Sequence, residues 1–172
     1  GFYCDLEDHC SASNYTQPRG CPAGHYCPNG TRFATQFACP PGTYNAGTML
    51  EDVSQCTPCT PGMYCETSGL AAPTAECSPS YYCVRGASTP TPTDNSTGNV
   101  CPPGTYCPAR SQAPTPCPAG SYNPKTGSYN VSQCYPCTEG MYCEATGLIR
   151  PTALCHPGFY CPEGTNVPTL QC

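Results

Sequence analysis

The sequence lacks several residue types that common classes of protein require. It contains no tryptophan, three methionines and a single lysine, Lys125; charged residues make up 10% of its 172 positions, and the formal net charge is −5. A nucleic-acid surface needs clustered lysine and arginine side chains that neutralise phosphates. The sparse charge and the acidic balance therefore predict that nucleic acid is not a partner.

Long apolar runs are also missing. No stretch approaches the roughly 20 apolar residues that a membrane-spanning helix requires, so we expect no transmembrane segment in this chain. Leu, Ile and Val are too few for one large apolar core. The chain begins at Gly1 with neither a Met nor a signal peptide, which we interpret as a mature product or a segment of something longer.

Cysteine, proline and glycine are abundant instead. There are 19 Cys, 23 Pro and 17 Gly, and such a cysteine content is typical of a disulfide scaffold in an oxidising, extracellular compartment. Asn-x-Ser/Thr sequons support this location and predict N-linked glycans, and O-linked glycans are a further expectation. The sequons begin at Asn14, Asn29, Asn95 and Asn130.

One short motif, Cys-x-x-Gly-x-Tyr, recurs along the chain, and each copy is called a rung below. The copy at 77–82 has Ser80 in place of the glycine. The regular spacing predicts an elongated rod or solenoid of small disulfide-rich repeats, with short β-hairpins and little helix. The opening cysteines of the rungs are Cys21, Cys39, Cys59, Cys77, Cys101, Cys117, Cys137 and Cys155.

A longer repeat groups four rungs. Residues 56–65 read CTPCTPGMYC, and residues 134–143 read CYPCTEGMYC. The offset from Cys56 to Cys134 is called the long period below. We therefore predict a partial N-terminal rung at 1–20, a first four-rung repeat at 21–100 and a second repeat at 101–172 that ends in mid-pattern.

Each position of the rung has an expected mechanical role. Gly supplies a turn with positive φ, and Tyr covers the cross-link with its ring. At Ser80 we expect either a different turn or some strain. The proline-rich interval 87–98, ASTPTPTDNSTG, predicts an extended, solvated and glycan-bearing loop, with a binding loop as the alternative.

The cysteine spacing narrows the disulfide connectivity without deciding it. In the simplest scheme, each of the two rungs without a cysteine after Tyr pairs its opening cysteine with the cysteine 17 residues later. In the other rungs from Cys21 onward, the cysteine after Tyr pairs with a cysteine further along the chain. Crossed pairing among the four cysteines of 27–59 and of 107–137 is the competing scheme. The simplest scheme has the pairs Cys39–Cys56, Cys117–Cys134, Cys65–Cys77, Cys83–Cys101, Cys143–Cys155, Cys161–Cys172, Cys27–Cys59 and Cys107–Cys137.

An odd number of cysteines cannot all pair within one chain. The scheme leaves the unpaired thiol among Cys4, Cys10 and Cys21, or at Cys172 if Cys172 opens a rung that continues past this chain. An unpaired cysteine fits a link to a neighbouring molecule or an excerpt from a longer array. A free surface thiol is the alternative.

Sequence motifs for catalysis or cofactor binding are weak. The pairs CTPC (56–59) and CYPC (134–137) lie inside the repeat, and nothing predicts the βαβ context of a redox dithiol there. An oxidising compartment favours bridges over structural zinc. None of the three histidines has an evident nucleophile partner, and DLED (5–8) lacks the ligand spacing of a calcium loop. We therefore expect a protein that is not an enzyme and has no metal or other cofactor.

The stretches CPPGTYNAGTMLEDVSQCTPC (39–59) and CPAGSYNPKTGSYNVSQCYPC (117–137) resemble the ephrin-receptor-like cysteine-rich repeat, a relative of the tumour-necrosis-factor-receptor module. The resemblance covers most of 21–172 at the level of the motif. It implies a rod-like fold of long surface proteins without catalytic residues, and it supports the bridges Cys39–Cys56 and Cys117–Cys134. The rungs with a cysteine after Tyr depart from the family pattern, so the resemblance leaves their bridges open.

Two functions are open from the sequence. The first is a structural extracellular glycoprotein that self-associates head to tail in a surface coat, wall or filament such as a flagellar hair. The second is a receptor or adhesion ectodomain that binds a protein or glycan ligand. The second predicts an exposed Tyr or Phe patch in one rung that differs from its counterpart one long period away. Segments 1–20 and 84–100 are the least repetitive places to find it.

Overall fold

The computed structural model describes residues 1–4 and 18–169. Their regular structure consists of strands of two or three residues and two 3-10 turns, with no α-helix in these ranges. Each odd-numbered strand pairs antiparallel with the next strand in a two-stranded sheet. The strands are β1 (Phe2–Tyr3), β2 (Arg19–Gly20), β3 (Thr43–Tyr44), β4 (Thr57–Pro58), β5 (Met63–Tyr64), β6 (Ala75–Glu76), β7 (Tyr81–Cys83), β8 (Gly98–Val100), β9 (Thr105–Tyr106), β10 (Thr115–Pro116), β11 (Ser121–Tyr122), β12 (Tyr135–Pro136), β13 (Met141–Tyr142) and β14 (Ala153–Leu154).

The hairpins follow the rung motif closely. The first strand of a hairpin carries the Tyr of the motif, and the second strand ends just before the next opening cysteine. In β9–β10, Tyr106 lies opposite Thr115 and Thr105 lies opposite Pro116, next to Cys117. The prediction of small antiparallel hairpins with little helix is therefore confirmed. Hairpins this short have little stability of their own in water, so other links must hold them.

The turn inside the rung keeps a positive φ even where the glycine is replaced. Gly104 has a φ of 82°, and Ser80 at the equivalent position has a φ of 76°. The amide of Ser80 donates to the carbonyl of Cys107 at 2.9 Å, and the Ser80 carbonyl accepts from the amide of Cys101 at 2.8 Å. Ser80 therefore makes the same turn as the glycines, with a strain of about 1–2 kcal/mol. Of the two expectations, strain is correct and a different turn is wrong.

Backbone hydrogen bonds join neighbouring rungs from the rung of Cys21 to that of Cys59, and again from the rung of Cys77 to that of Cys155. The amide of Gly104 donates to the carbonyl of Asn123 at 2.7 Å, and the Gly104 carbonyl accepts from the amide of Cys117 at 2.9 Å. The carbonyl of Cys117 in turn accepts from the amide of Gly147 at 2.8 Å. The last contact recurs because, in seven of the described rungs, a second residue with positive φ donates to the carbonyl of the opening cysteine. These donor–acceptor pairs are Met49–Cys21, Gly69–Cys39, Gly86–Cys59, Arg110–Cys77, Gly127–Cys101, Gly147–Cys117 and Gly164–Cys137.

Two 3-10 turns, Val53–Gln55 and Val131–Gln133, lie inside the longer disulfide loops. Asp52 caps the first and Asn130 caps the second, each by accepting from the amide two residues later. Gln55 and Gln133 reach back to the cap backbone and complete a capping box. Short polar segments of this kind form because the cap satisfies the first free amides of the turn.

The buried apolar side chains of the described chain are those of cysteines, apart from Leu50, Ala87 and Pro92. Leu50 belongs to a small cluster with Cys39 and Cys56, and Tyr26 packs against that cluster. Cysteine sulfur thus occupies the interior that aliphatic side chains fill in most domains. The sequence prediction that a disulfide scaffold replaces a large apolar core agrees with this arrangement.

The chain divides into two compact units. Unit 1 comprises Gly1–Glu76 and Val84–Pro90, and unit 2 comprises Cys77–Cys83 and Thr91–Cys172. Each unit contains the same rung-to-rung hydrogen bonds. Among the described residues, no helix combines the length and the apolar character that crossing a membrane would need.

The proline-rich interval 87–98 is folded back and not extended as predicted. Pro92 is fully buried, and it lies so close to Gly98 that a Cβ at Gly98 would be 2.5 Å from the Pro92 Cγ. The carboxylate of Asp94 accepts from the amides of Ser96 and Thr97 at 2.9 and 2.7 Å, and from the Thr97 hydroxyl at 2.8 Å. These local hydrogen bonds close a turn, which the low-complexity composition did not indicate.

The Asp94 turn is expected to depend on pH. Hydrogen bonds from Thr97, and then from Ser96, lower the pKa of Asp94 from 3.8 to about 2. Because the folded pKa is lowered, the stabilisation is present above about pH 4 and is lost as the pH falls through 2. In an NMR titration of the Asp94 carboxyl carbon, we expect a midpoint near 2 and a parallel shift of the Thr97 amide. The Asp94→Asn variant should lose both changes, and a midpoint near the ordinary value would contradict the turn.

Candidate functional site

Eight disulfide bonds join described cysteines, and Cys4 is also disulfide-bonded. Six bonds link an opening cysteine to the cysteine six residues later, and two link cysteines 17 residues apart. The short bonds are Cys21–Cys27, Cys59–Cys65, Cys77–Cys83, Cys101–Cys107, Cys137–Cys143 and Cys155–Cys161, and the longer ones are Cys39–Cys56 and Cys117–Cys134.

The longer bonds are the two that both the spacing and the family resemblance favoured. The other six predicted pairs are wrong, because the cysteine after Tyr pairs within its own rung. The turn of the rung brings its opening cysteine and its cysteine after Tyr together. In the rung of Cys137, the amide of Met141 donates to the carbonyl of Thr138 at 3.0 Å, and the Cα atoms of Cys137 and Cys143 are 5.8 Å apart. The pairs to be corrected are Cys65–Cys77, Cys83–Cys101, Cys143–Cys155, Cys161–Cys172, Cys27–Cys59 and Cys107–Cys137.

The same pairing resolves the Cys-x-x-Cys sequences. Cys56 is bonded to Cys39, whereas Cys59 is bonded to Cys65. The two cysteines of CTPC therefore belong to different bridges, and those of CYPC do likewise. The competing crossed scheme is wrong for the same reason.

The unpaired cysteine is neither Cys4 nor Cys21, since both are disulfide-bonded. The other two candidates, Cys10 and Cys172, lie outside the described residues. The prediction of an unpaired thiol is therefore narrowed but stays a prediction.

Three of the four sequons lie among the described residues, and their asparagines are exposed. Asn29 is in a turn, and the hydroxyl of Thr31 donates to the carbonyl of Pro28 at 2.6 Å. Asn95 accepts a hydrogen bond from the amide group of Asn99 through Oδ1. Asn130 caps its 3-10 turn through the same atom type, which an N-linked glycan leaves in place. Asn14 lies outside the described residues.

The two described histidines, His25 and His156, form no evident site. Nδ1 of His25 lies 3.1 Å from the carbonyl oxygen of Ala23, and His156 is exposed. His9 and the acidic stretch at 5–8 lie outside the described residues. Within the described residues, no three or more His, Cys, Asp or Glu side chains lie close enough together to hold a metal ion.

Asn45 and Asn123 take the place of the cysteine after Tyr in the two rungs that lack it, a role that the sequence analysis did not identify. The amides of Asn45 and Asn123 donate to the carbonyls of Leu70 and Leu148. Asn123 is fully buried, whereas Asn45 is half-buried. The Tyr-Asn dipeptide at a position where other rungs have Tyr-Cys was the available signal.

The Asn123→Ala variant should lose about 3 kcal/mol of unfolding free energy. Nδ2 of Asn123 donates to the carbonyl of Thr105 at 3.0 Å and to the hydroxyl of Ser128 at 2.8 Å, and Oδ1 accepts from the amide of Lys125 at 3.1 Å. Alanine removes the hydrogen-bond partner of the buried Ser128 hydroxyl and of the partly buried Thr105 carbonyl and Lys125 amide. Chemical denaturation with the disulfides intact would measure the loss.

Asn45→Ala is the matched control for this variant. Its side chain bonds only to Gly47 in the described contacts, at 3.1 and 3.3 Å, near solvent. We expect a loss of less than about 1 kcal/mol. Equal losses for the two variants would show that burial of Asn123 is not what stabilises the second repeat.

Unit 2 contains a groove of about 350 Å³ beside the hairpin β11–β12. Tyr122 and Tyr135 are cross-strand partners, and their ring centroids are 5.9 Å apart. The two rings form one wall of the groove, and two carboxylates contribute to its lining. The lining residues are Tyr122, Tyr135, Pro136, Thr138, Glu139 and Glu163.

The groove combines aromatic faces with negative charge. The hydroxyl of Tyr160 donates to Oε1 of Glu139 at 2.9 Å, and Glu163 is exposed. The ammonium nitrogen of Lys125 lies 5.3 Å from the centroid of the Tyr135 ring. A cation is attracted to the face of such a ring, so the groove is suited to a positively charged group.

The first repeat has a different surface at the equivalent positions. Its hairpin β3–β4 pairs Tyr44 with Thr57 in the register in which β11–β12 pairs Tyr122 with Tyr135. The second tyrosine is therefore absent there, and the sign of the charge is reversed. One long period earlier in the chain, Tyr135 corresponds to Thr57, Glu139 to Pro61, Glu163 to Arg85 and Lys125 to Gly47. The differing aromatic patch lies in neither 84–100 nor the described part of 1–20.

The bridges and hairpins define a disulfide-rich protein built from short cysteine-rich repeats. No protein-family model matches the chain, and no curated protein matches it. The likeness to the ephrin-receptor-like repeat accordingly stays a prediction from the motif.

Proposed function

We propose that this protein is a structural extracellular glycoprotein, a rod of disulfide-stapled rungs that forms part of a surface coat, wall or filament by head-to-tail assembly. Its role is mechanical and not enzymatic.

The recurring bond pattern carries this proposal. Each described rung has its own disulfide bond, and the carbonyls of successive opening cysteines accept from successive positive-φ residues within each unit. In repeat proteins, stability comes from the repeats and from nearest-neighbour interfaces, so further copies extend the array without a new core.

The extracellular location rests on the disulfide bonds, because thiols stay reduced in most cytosolic compartments. The exposed Asn29, Asn95 and Asn130 add accessible acceptors for glycans. Digestion of native protein with a peptide-N-glycosidase should convert occupied sites to Asp, which mass spectrometry of the peptides would identify. Complete absence of glycans and of disulfides from native material would contradict this part of the proposal.

Shape and assembly test the rod. Small-angle X-ray scattering of the monomer should give an elongated particle, and electron microscopy of native material should show fibres or ordered arrays. A compact, spherical particle would contradict the rod, and dispersed monomers in native material would contradict assembly.

A receptor or adhesion ectodomain is the second candidate, and the groove of unit 2 favours it. It combines two tyrosines with two carboxylates in one repeat only, which is the arrangement expected of a specific contact surface. Immobilised wild-type protein and its Tyr135→Thr variant, which carries the residue of the first repeat, would be exposed to extracellular fluid. A soluble partner that only the wild type retains would favour the receptor.

A further inference from the structure

We propose that the groove of unit 2 binds the guanidinium group of Arg85 from a second copy of this chain. This inference rests on the proposed head-to-tail assembly and names the contact that would mediate it.

The groove has the chemistry that a guanidinium group requires. Guanidinium stacks on aromatic faces and donates in pairs to carboxylates. Tyr122 and Tyr135 supply the rings, and Glu139 and Glu163 supply the carboxylates. The hydrogen bond from Tyr160 holds Glu139 in place through Oε1, and Oε2 can accept from a ligand. The ammonium nitrogen of Lys125 lies 5.3 Å from the Tyr135 centroid, so this exposed side chain must leave that ring when the guanidinium stacks there.

The charge pattern of the two repeats indicates the source of the guanidinium. Arg85 occupies the position in the first repeat that Glu163 occupies in the second, and both side chains are exposed. Val84 beside Arg85 is 41% exposed and would add an apolar contact. Every copy therefore carries an acidic aromatic groove and a cationic counterpart. A contact between unlike surfaces can continue from copy to copy into a fibre if it does not close.

The backbone at the two positions is equivalent, which makes charge exchange a clean experiment. Gly86 and Gly164 follow Arg85 and Glu163, with φ values of 80° and 81°. Their amides donate to the carbonyls of Cys59 and Cys137 at 2.9 Å in both repeats. Arg85→Glu and Glu163→Arg each introduce the residue that the other repeat already carries, so both variants should fold.

Sedimentation velocity over a concentration series at low salt would test the contact. We expect the wild type to self-associate, and Arg85→Glu or Glu163→Arg to weaken association by about tenfold or more because like charges then meet. The double variant Arg85→Glu/Glu163→Arg should recover the association. Glu144→Arg and Arg150→Glu change exposed charges outside the groove lining and should leave association within about twofold of the wild type.

A small probe tests the groove without assembly. In NMR titrations, N-acetyl-arginine amide should shift the ring resonances of Tyr135 in the wild type, and N-acetyl-citrulline amide, which is neutral, should not. The Tyr44 ring in the first repeat serves as the internal reference, and Glu163→Arg should abolish the shift.

The outcomes separate this inference from the proposed function. Loss in both single variants with recovery in the double variant supports the Arg85 contact. If the wild type associates and neither single variant associates more weakly, the Arg85 contact is wrong. Head-to-tail assembly then still stands, but it must use another surface. The Arg85 contact is also wrong if the wild type is strictly monomeric, or if the arginine and citrulline probes shift the Tyr135 resonances equally. The rod shape is tested separately, by small-angle X-ray scattering.

Discussion

Complete reduction of the disulfide bonds is expected to unfold the protein under native conditions. A bridge that closes a loop of 17 residues contributes roughly 3 kcal/mol through the lost entropy of the unfolded chain, and one that closes a loop of six contributes roughly 2 kcal/mol. Two bridges of the first kind and six of the second together exceed the stability of a typical domain, which is roughly 5–15 kcal/mol. The described residues offer no aliphatic core to replace them.

Amide dispersion in NMR spectra before and after reduction would measure this effect, with alkylation of the thiols to prevent reoxidation. Removal of single bridges provides the graded control. The pair Cys39→Ser/Cys56→Ser should lose about 3 kcal/mol, and Cys59→Ser/Cys65→Ser about 2 kcal/mol. Dispersed amide resonances after complete reduction and alkylation would show that sulfur links are not what stabilises the fold.

Gly104→Ala should be among the most destabilising single substitutions, with a loss of about 4 kcal/mol or more. Gly104 has a φ of 82°, and a Cβ there would lie 2.2 Å from the carbonyl oxygen of Gly147. Either the backbone at Gly147 or Gly104 itself would have to move, and a shift of Gly104 breaks its bonds with Asn123 and Cys117. Denaturant unfolding at constant disulfide content would measure the loss.

Gly140→Ala separates the contact from the backbone strain. Gly140 has a φ of 79° and makes the same two bonds, to Cys161 and from Cys155, but nothing lies within 4 Å of the point that a Cβ would occupy. We expect the strain alone, about 1–2 kcal/mol, as at the natural Ser80. If Gly104→Ala loses no more unfolding free energy than Gly140→Ala, the close approach of Gly147 is not the reason for glycine at position 104.

The local structure of the rung was predictable because it depends on nearby residues. Gly-x-Tyr after an opening cysteine predicted a positive-φ turn followed by a short paired strand, and the structure has both. The capping boxes at Asp52–Gln55 and Asn130–Gln133 were equally local and were missed, although Asp or Asn followed by Gln three residues later is a recognised signal. The second positive-φ position was also missed, because Met49 and Arg110 interrupt its series of glycines.

The type of surface that the candidate groove represents was predictable from the sequence, but the residues that form it were not. The receptor hypothesis predicted an aromatic patch that differs between the repeats, and it named 1–20 and 84–100 as the places to look. The groove lies outside 84–100 and outside the described part of 1–20. Tyr122, Glu139 and Glu163 are far apart in the sequence. Only the pairing of β11 with β12 and the return of the following rung bring them to one surface.

The sequence by itself determined the class of the protein: its cysteine, proline and glycine content requires a stapled fold of small hairpins, because too few aliphatic residues exist for any other interior. The tertiary structure decided which cysteines pair and which side chains meet. Spacing along the chain measures contour length, whereas a bridge depends on the distance through space. A turn that folds each rung back on itself makes the nearest sulfur the one six residues away.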